Sequence, residues 1–210
     1  MNLVKDGVLV TLITSSLAGS PDSERQYIPD LEKRLNNAKI YNSYLSNDYK
    51  SINVFNILEE AYKKVNVPEY VTIDVQLARS YVESSNNPNA VSPAGAKGLF
   101  QIMENSWKDI MKEPFEYAGN PYMNSIASLK HISIIDKFLK ENYPGFDSLD
   151  TDKKLDLLNA AYNGGHGRLK SLDWNISKMP KETKEYVKRM KERTALERTR
   201  LSYKIDNYKY

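Results

Sequence analysis

The chain has 210 residues, 40 % hydrophobic and 27 % charged, which suits one domain with a sizeable core and an N-terminal extension. Its 30 basic and 27 acidic side chains leave a net charge of +3, a mild attraction for anionic polymers without a concentrated basic block. The absence of cysteine excludes disulfide frameworks, thiolate zinc sites and cysteine nucleophiles, and two histidines leave little for a metal, so chemistry falls to carboxylates, hydroxyls and amides.

The first residues, "MNLVKDGVLVTLITSSLAGS", combine a Lys-bearing start, an apolar stretch from Gly7 to Leu17, and small residues at Ser16 and Ala18. This pattern predicts an export signal over 1–18 with cleavage after Ala18, although Asp6 departs from it. The stretch is shorter than the about 20 residues of a membrane span, so no stable span is expected. The alternative is a buried N-terminal helix in a protein that is not exported by this route, such as a phage-encoded one.

Beyond it, helical spacing dominates. Leu31, Leu35, Ala38, Tyr41 and Leu45 predict one amphipathic helix, and Val54, Ile57, Leu58, Ala61 and Tyr62 a second, both before Pro68. From Glu69 to Ser84, Ile73, Leu77 and Tyr81 form one apolar row and Val71, Val75, Ala78 and Val82 the next, a broad face to bury. The segment from Asn124 to Asn142 is apolar nearly all round, as a central helix would be, and "YPG" at 143–145 stops it. A shorter helix over Asp152 to Tyr162 ends at the glycines of "NGGHG". The tail from Glu182 to about Tyr203 reads as a long, largely exposed helix held by Tyr186, Val187, Met190 and Leu201. Strand signal is confined to "GLFQIM", which allows a very short β-hairpin. The fold class is therefore mainly α.

Glu83 is the residue that needs a reason. It ends a strongly apolar helix and precedes the turn formers Asn86, Asn87, Pro88, Ser92, Pro93 and Gly95. A carboxyl where a buried helix opens into a loop is partly desolvated, which raises its pKa and lets it hold a proton near neutrality, as a general acid must. Periodicity alone favours the plainer reading, a solvated acid pairing with Arg79 one turn earlier, worth a few tenths of a kcal/mol.

The blocks "ESSNNPNAVSPAGAKGLFQIM", "AAYNGGHGRL" and "MPKETKEYV", in this order, resemble the SLT-type soluble lytic transglycosylases, lysozyme-like enzymes that cleave bacterial peptidoglycan. The resemblance spans roughly residues 68 to 190. It implies a lysozyme-like helical domain, which we place over 67–210 with the charged tail helix included; residues 19–66 read from their spacing as an N-terminal helical extension, whose purpose the resemblance does not imply. It also implies that Glu83 is the catalytic acid/base. Ser92 matches a hydroxyl near that carboxylate, Gln101 and Met103 match the wall of the sugar groove, and Tyr162 with Asn163 belongs to the family's "AYN" block. Glu182 matches the acid of its "P-x-E-T-x-x-Y-V" block. One departure is Phe100, where the family more often carries Met.

Each companion also has a plain structural reading. Ser92 suits the turn before Pro93; Leu99, Phe100 and Met103 suit core or groove wall; Tyr162 suits a satisfied core aromatic. Glu182 sits in a tail full of acids. His131 and His166 lack metal-ligand spacing. The motif supplies one carboxylate where most glycosidases use two. The family solution is that a single Glu acts twice, cleaving between N-acetylmuramic acid and N-acetylglucosamine without water and leaving a 1,6-anhydro ring.

A hydrolytic muramidase on the same scaffold would need water and a second carboxylate, for which Asp74 and Asp109 are the loosely placed candidates. A non-catalytic glycan-binding or virion structural protein is the reading from another class. Nucleic acid is disfavoured as a partner, because acids interleave the basic residues from Lys178 to Arg200. The expected partner is the peptidoglycan glycan strand, no cofactor is implied, and the expected location is the periplasm or cell envelope, or a phage virion.

Overall fold

A computed structural model of the chain describes residues 4–5, 8–9 and 54–207, with side chains through residue 202 in the last segment. Two units are present, Met1–Ser46 and Asn47–Tyr210. In the first, strand β1 (Val4–Lys5) pairs antiparallel with β2 (Val8–Leu9), Val4 opposite Leu9. The rest of the expected leader over 1–18 and the helix expected over 31–45 lie outside the described residues.

The second unit is helical. It starts earlier than residue 67: α1 (Val54–Tyr62) buries Val54, Ile57, Leu58 and Ala61 and packs on the helices that follow rather than standing apart as an extension. Then come α2 (Ile73–Ser84), α3 (Glu104–Ile110), α4 (Pro121–Asn142), α5 (Thr151–Gly164), α6 (His166–Ser171) and α7 (Lys181–Asn207). Among the described residues, no helix is long and apolar enough to cross a membrane.

Local chemistry sets the boundaries. Asn120 caps α4, its side chain accepting from the N–H groups of Tyr122 and Met123, and Pro121 fits the first turn, where its missing donor costs nothing. Asp150 caps α5 through Lys153 N–H. At the end of α2 the chain turns left-handed at Ser85 (φ 56°) and Asn86 (φ 63°), whose N–H groups bond back to Tyr81 and Ser80. Helix α3 and the 3-10 turn at Phe115–Gly119 are elements the periodicity does not disclose, being too short to show a period.

Two cores flank α2. Val71, Val75, Ala78 and Val82 face Ile132, Ile135 and Leu139 of α4, Leu158 and Ala161 of α5, and Tyr186 and Met190 of α7. Ile73 and Leu77 pack instead against the second core, built on Leu58, Leu99, Phe100, Trp107 and Ala127. Each fully buried large apolar side chain contributes about 1.5–3 kcal/mol. The row does not continue to Tyr81, which is 40 % exposed with the Arg193 guanidinium 3.4 Å from its ring centre. Nor is α4 buried all round: Ile134 is exposed, while Asn124, Ser125 and Ser128 are buried.

The stretch "GLFQIM" forms no strand. Lys97 makes isolated antiparallel bridges to Val91 and to Ile102, a minimal double turn that carries Leu99 and Phe100 into the second core. The long tail helix matches its sequence reading: Thr183, Tyr186, Val187, Met190, Thr194 and Glu197 form one buried stripe, and most of the remaining surface is exposed.

Candidate active site

Glu83 lies in the last turn of α2, where the two cores meet, and is half-buried. Its Oε1 accepts a 2.7 Å hydrogen bond from the Tyr186 hydroxyl of α7. Burial pushes the carboxyl from its ordinary 4.5 to about 7; the Tyr186 bond and the charges of Arg79 and Arg189 pull it down less strongly, and Glu182 pushes it further up. The surface pair of Glu83 with Arg79 therefore does not form. Arg79 is fully buried and turns inward, donating to Asn159 Oδ1 at 3.0 Å and to Tyr186 Oη at 3.4 Å.

Tyr162 of α5 packs against both cores, with the Arg79 guanidinium 4.2 Å from its ring centre and the His131 ring 5.2 Å away. Its hydroxyl donates to Phe100 O at 3.0 Å, tying α5 to the loop after α2. Desolvation, reinforced by the Glu83 charge, holds the Tyr162 phenol above its ordinary pKa, so it is a neutral donor. Burial, with Arg79 and His166 adding to it, lowers His131 to about 4, which keeps that imidazole neutral too.

The loop is fastened on both sides. Ser84 Oγ donates to Leu99 O at 2.9 Å, and Asn124 of α4 accepts from Phe100 N–H and donates to the Lys97 and Ala118 carbonyls. Gly98 (φ 81°) makes this possible, because a Cβ there would overlap the Ala118 carbonyl and come within 2.6 Å of the Asn124 amide. Gly164 plays a packing part: a Cβ would meet Thr183 Oγ1 at 2.8 Å, so its absence lets the end of α5 approach the start of α7. That approach sets Tyr162 and Asn163 beside the turn that carries Glu182 and Tyr186.

The other expected site residues divide. Gln101 adopts a left-handed φ of 47° and spends its amide on the carbonyls of Ala90 and Gly98, so it braces the loop from within. Ser92 Oγ accepts from Ala96 N–H at 3.0 Å, the turn chemistry of its plain reading. Met103 is 43 % exposed beside the same loop and Asn163 is half-buried. Glu182 is exposed in the first turn of α7, and its charge is felt at Glu83. The acids named for a hydrolytic pair do not join it. Asp74 is bound to Arg198 at 3.0 Å and starts nine residues before Glu83, about 13 Å along the helix axis. Asp109 is exposed on α3.

Sequence reasoning missed Tyr186 and Arg79 as site residues. Tyr186 carried a signal, since it stands inside "MPKETKEYV", but its apolar spacing made it look like packing alone. Arg79 carried none, because an Arg four residues from a Glu on a helix reads as a surface pair. Among the described residues, no group of three or more His, Asp or Glu gathers as a metal cage.

A family profile described as "Transglycosylase SLT domain" matches residues 56–187. Among solved structures, an inactive Glu-to-Gln variant of the lytic transglycosylase Slt from Pseudomonas aeruginosa superposes with a TM-score of 0.54 at 20 % identity, over 70 % of this chain and 24 % of that one. The 70 kDa soluble lytic transglycosylase of Escherichia coli gives 0.54 at 21 % identity, with the same coverage of 70 % and 24 %. The chain thus spans about a quarter of the length of these proteins, and at such identity the likeness is one of fold. No curated protein sequence matches it. The profile runs from α1 through the turn of α7 that holds Tyr186, taking in Glu83, the braced loop and Tyr162, and the chain belongs to the transglycosylase SLT domain family.

Proposed function

We propose that the protein is a peptidoglycan lytic transglycosylase in which Glu83 serves as both acid and base. The observation that carries this reading is a half-buried carboxyl raised to about 7, anchored by Tyr186, at the mouth of a braced loop. Protonated Glu83 donates its proton to the glycosidic oxygen between N-acetylmuramic acid and N-acetylglucosamine as the C1–O bond breaks. The carboxylate left behind then takes the proton of the muramyl C6 hydroxyl, whose oxygen bonds to C1 of the same sugar. Glu83 ends protonated, as it began, and the product carries a 1,6-anhydro ring.

Intramolecular attack suits a site with one acid, because proximity alone supplies about 7–11 kcal/mol in well-oriented systems. Tyr186 anchors the carboxyl, and Tyr162 ties α5 to the loop after α2. In this reading Met103, Asn163 and Glu182 meet the glycan strand, as the family motifs imply and as their exposed or half-buried side chains allow, while Ser92 and Gln101 hold the loop in shape. For such a substrate the location proposed is the periplasm or cell envelope, with a phage virion as the alternative.

One observation favours hydrolysis instead: Glu182 is an acid whose charge reaches Glu83, and an inverting enzyme would use such a partner to activate water. Product masses separate the two, since an anhydro product is lighter than the hydrolytic one by a water. Purified peptidoglycan digested with the protein is expected to yield anhydro-muramyl products, and reducing ends alone would transfer the reading to the muramidase. The pH profile is a second check. Because the first step needs protonated Glu83, the rate is expected to decline as pH rises through about 7, and a rate still climbing at pH 8 would contradict the acid role.

A further inference from the structure

Arg79 is a fully buried cation that makes no ion pair among the described residues. Its neighbours are the Tyr186 hydroxyl, the Asn159 amide and the face of Tyr162, and its Nε has no hydrogen-bond partner. A buried charge without a counter-ion is expensive, and a position that only filled space between α2, α5 and α7 would be better served by Leu or Met.

The bonding pattern gives the charge a use. A guanidinium donates and never accepts, so the Tyr186 oxygen accepts from Arg79 and its own proton is committed to Glu83 Oε1. With Oε1 occupied as an acceptor, the proton of neutral Glu83 resides on Oε2. We propose that Arg79 is a positioning residue of this site, locking Tyr186 as a donor to Oε1 and supplying the fixed positive charge that receives Glu83 as a carboxylate once Oε2 has given up its proton. The proposal rests on reading Glu83 as the acid and base. It explains how one carboxyl can be desolvated enough to hold a proton and still be left ionised between the two steps.

The other groups around the pair do not replace this charge. From α7, Tyr186 is neutral, Glu182 is negative, and the Arg189 side chain, one Nη of which donates to Val82 O at 3.0 Å, belongs to an exposed residue where solvent weakens its field. From α5 come Tyr162 and Asn159, both neutral, and from α4 comes His131, kept neutral by burial. Arg79 is the buried cation of the set.

The test is the Glu83 titration followed by carboxyl carbon NMR, together with the pH–rate profile on purified peptidoglycan, in wild type, Arg79→Met, Arg79→Gln, Arg79→Lys and Tyr186→Phe. The two neutral Arg79 variants are expected to move both the Glu83 midpoint and the alkaline limb of the rate upward by about one pH unit. Arg79→Lys restores the charge and is expected to return the midpoint toward wild type. Tyr186→Phe is expected to shift it upward as well, and combining it with Arg79→Met should add less than the two single shifts together, because both act on one hydrogen bond.

A lower rate with an unmoved midpoint in folded Arg79→Met or Arg79→Gln would reduce Arg79 to a space filler. If both neutral variants fail to fold, a wild-type midpoint in Tyr186→Phe overturns the proposal. Glu83→Gln is the companion control. If it remains active, the acid and base reading itself fails, whereas an inactive Glu83→Gln with unmoved midpoints in the Arg79 variants removes only the role given to Arg79.

Discussion

Glu83→Gln is expected to abolish peptidoglycan cleavage and at the same time to raise the melting temperature at neutral pH. General acid–base catalysis contributes about 10²–10⁴-fold, and a residue that serves both proton transfers should show the upper end of that range. Gln keeps the oxygen that accepts from Tyr186 but has no proton to give. The stability change follows from the direction of the pKa shift. Glu83 is raised in the folded protein to about 7 from 4.5, so the folded state binds the proton more tightly than the unfolded chain does. Between those two values stability is lost as pH rises, and above 7 the whole penalty is present, at most ~3 kcal/mol for a half-buried group. Gln carries no such penalty. With about 2–4 °C of melting temperature per kcal/mol for a unit of this size, Glu83→Gln should melt several degrees higher at pH 8, with the difference fading below pH 4.5. Thermal scans at pH 4 and pH 8 beside the cleavage assay check both halves. An active variant would end the catalytic assignment, and a variant melting lower at pH 8 would contradict the desolvation.

Where several helical periods accumulate, the sequence was sufficient. The row of α2 through Val75, Ala78 and Val82, the buried stripe of α7 and the stops at Tyr143–Gly145 and Gly164 follow from residue spacing and turn chemistry, and the structure places them close to where they are expected; the second row of α2 holds at Ile73 and Leu77 and fails at Tyr81. Short elements were illegible for a physical reason. Helix α3 completes only two turns, and α6 follows α5 across the single residue Gly165, so neither shows a period of its own. Within the candidate site, Glu83 and Tyr162 are singled out because a motif names them, whereas their surroundings are not legible in the sequence. The buried environment of Arg79 depends on Asn159 and Tyr186, 80 and 107 residues away, and no local pattern distinguishes a guanidinium that turns inward from one that reaches for water. Gln101 shows the converse. Its motif position suggests the groove, whereas the structure directs its amide to two carbonyls of its own loop.

Asn124 tests how far the site depends on residues with no part in the chemistry. It is fully buried, its Oδ1 accepts from Phe100 N–H at 2.8 Å, and its Nδ2 donates to Lys97 O at 3.0 Å and to Ala118 O at 2.9 Å. The loop so held presents Phe100 O to Tyr162 and Leu99 O to Ser84. Asn124→Ala leaves Phe100 N–H and Ala118 O without their partner in the interior, while Lys97 O keeps its bond from Ile102 N–H; at about 1–3 kcal/mol for each group left unpaired, a loss of roughly 2–6 kcal/mol is expected. That corresponds to a melting temperature lower by roughly 5–20 °C, and cleavage assayed well below the new transition should also fall, because Tyr162 loses its fixed acceptor. Asn124→Asp separates hydrogen bonding from volume. It retains an acceptor for Phe100 N–H but sets a second oxygen against two carbonyls, which favours the protonated acid. Its deficit should therefore grow as pH rises from 4 to 7, whereas that of Asn124→Ala should stay constant. Equal deficits for the two variants at every pH would mean that Asn124 acts through packing, and the braced loop would then owe its shape to Leu99 and Phe100 alone.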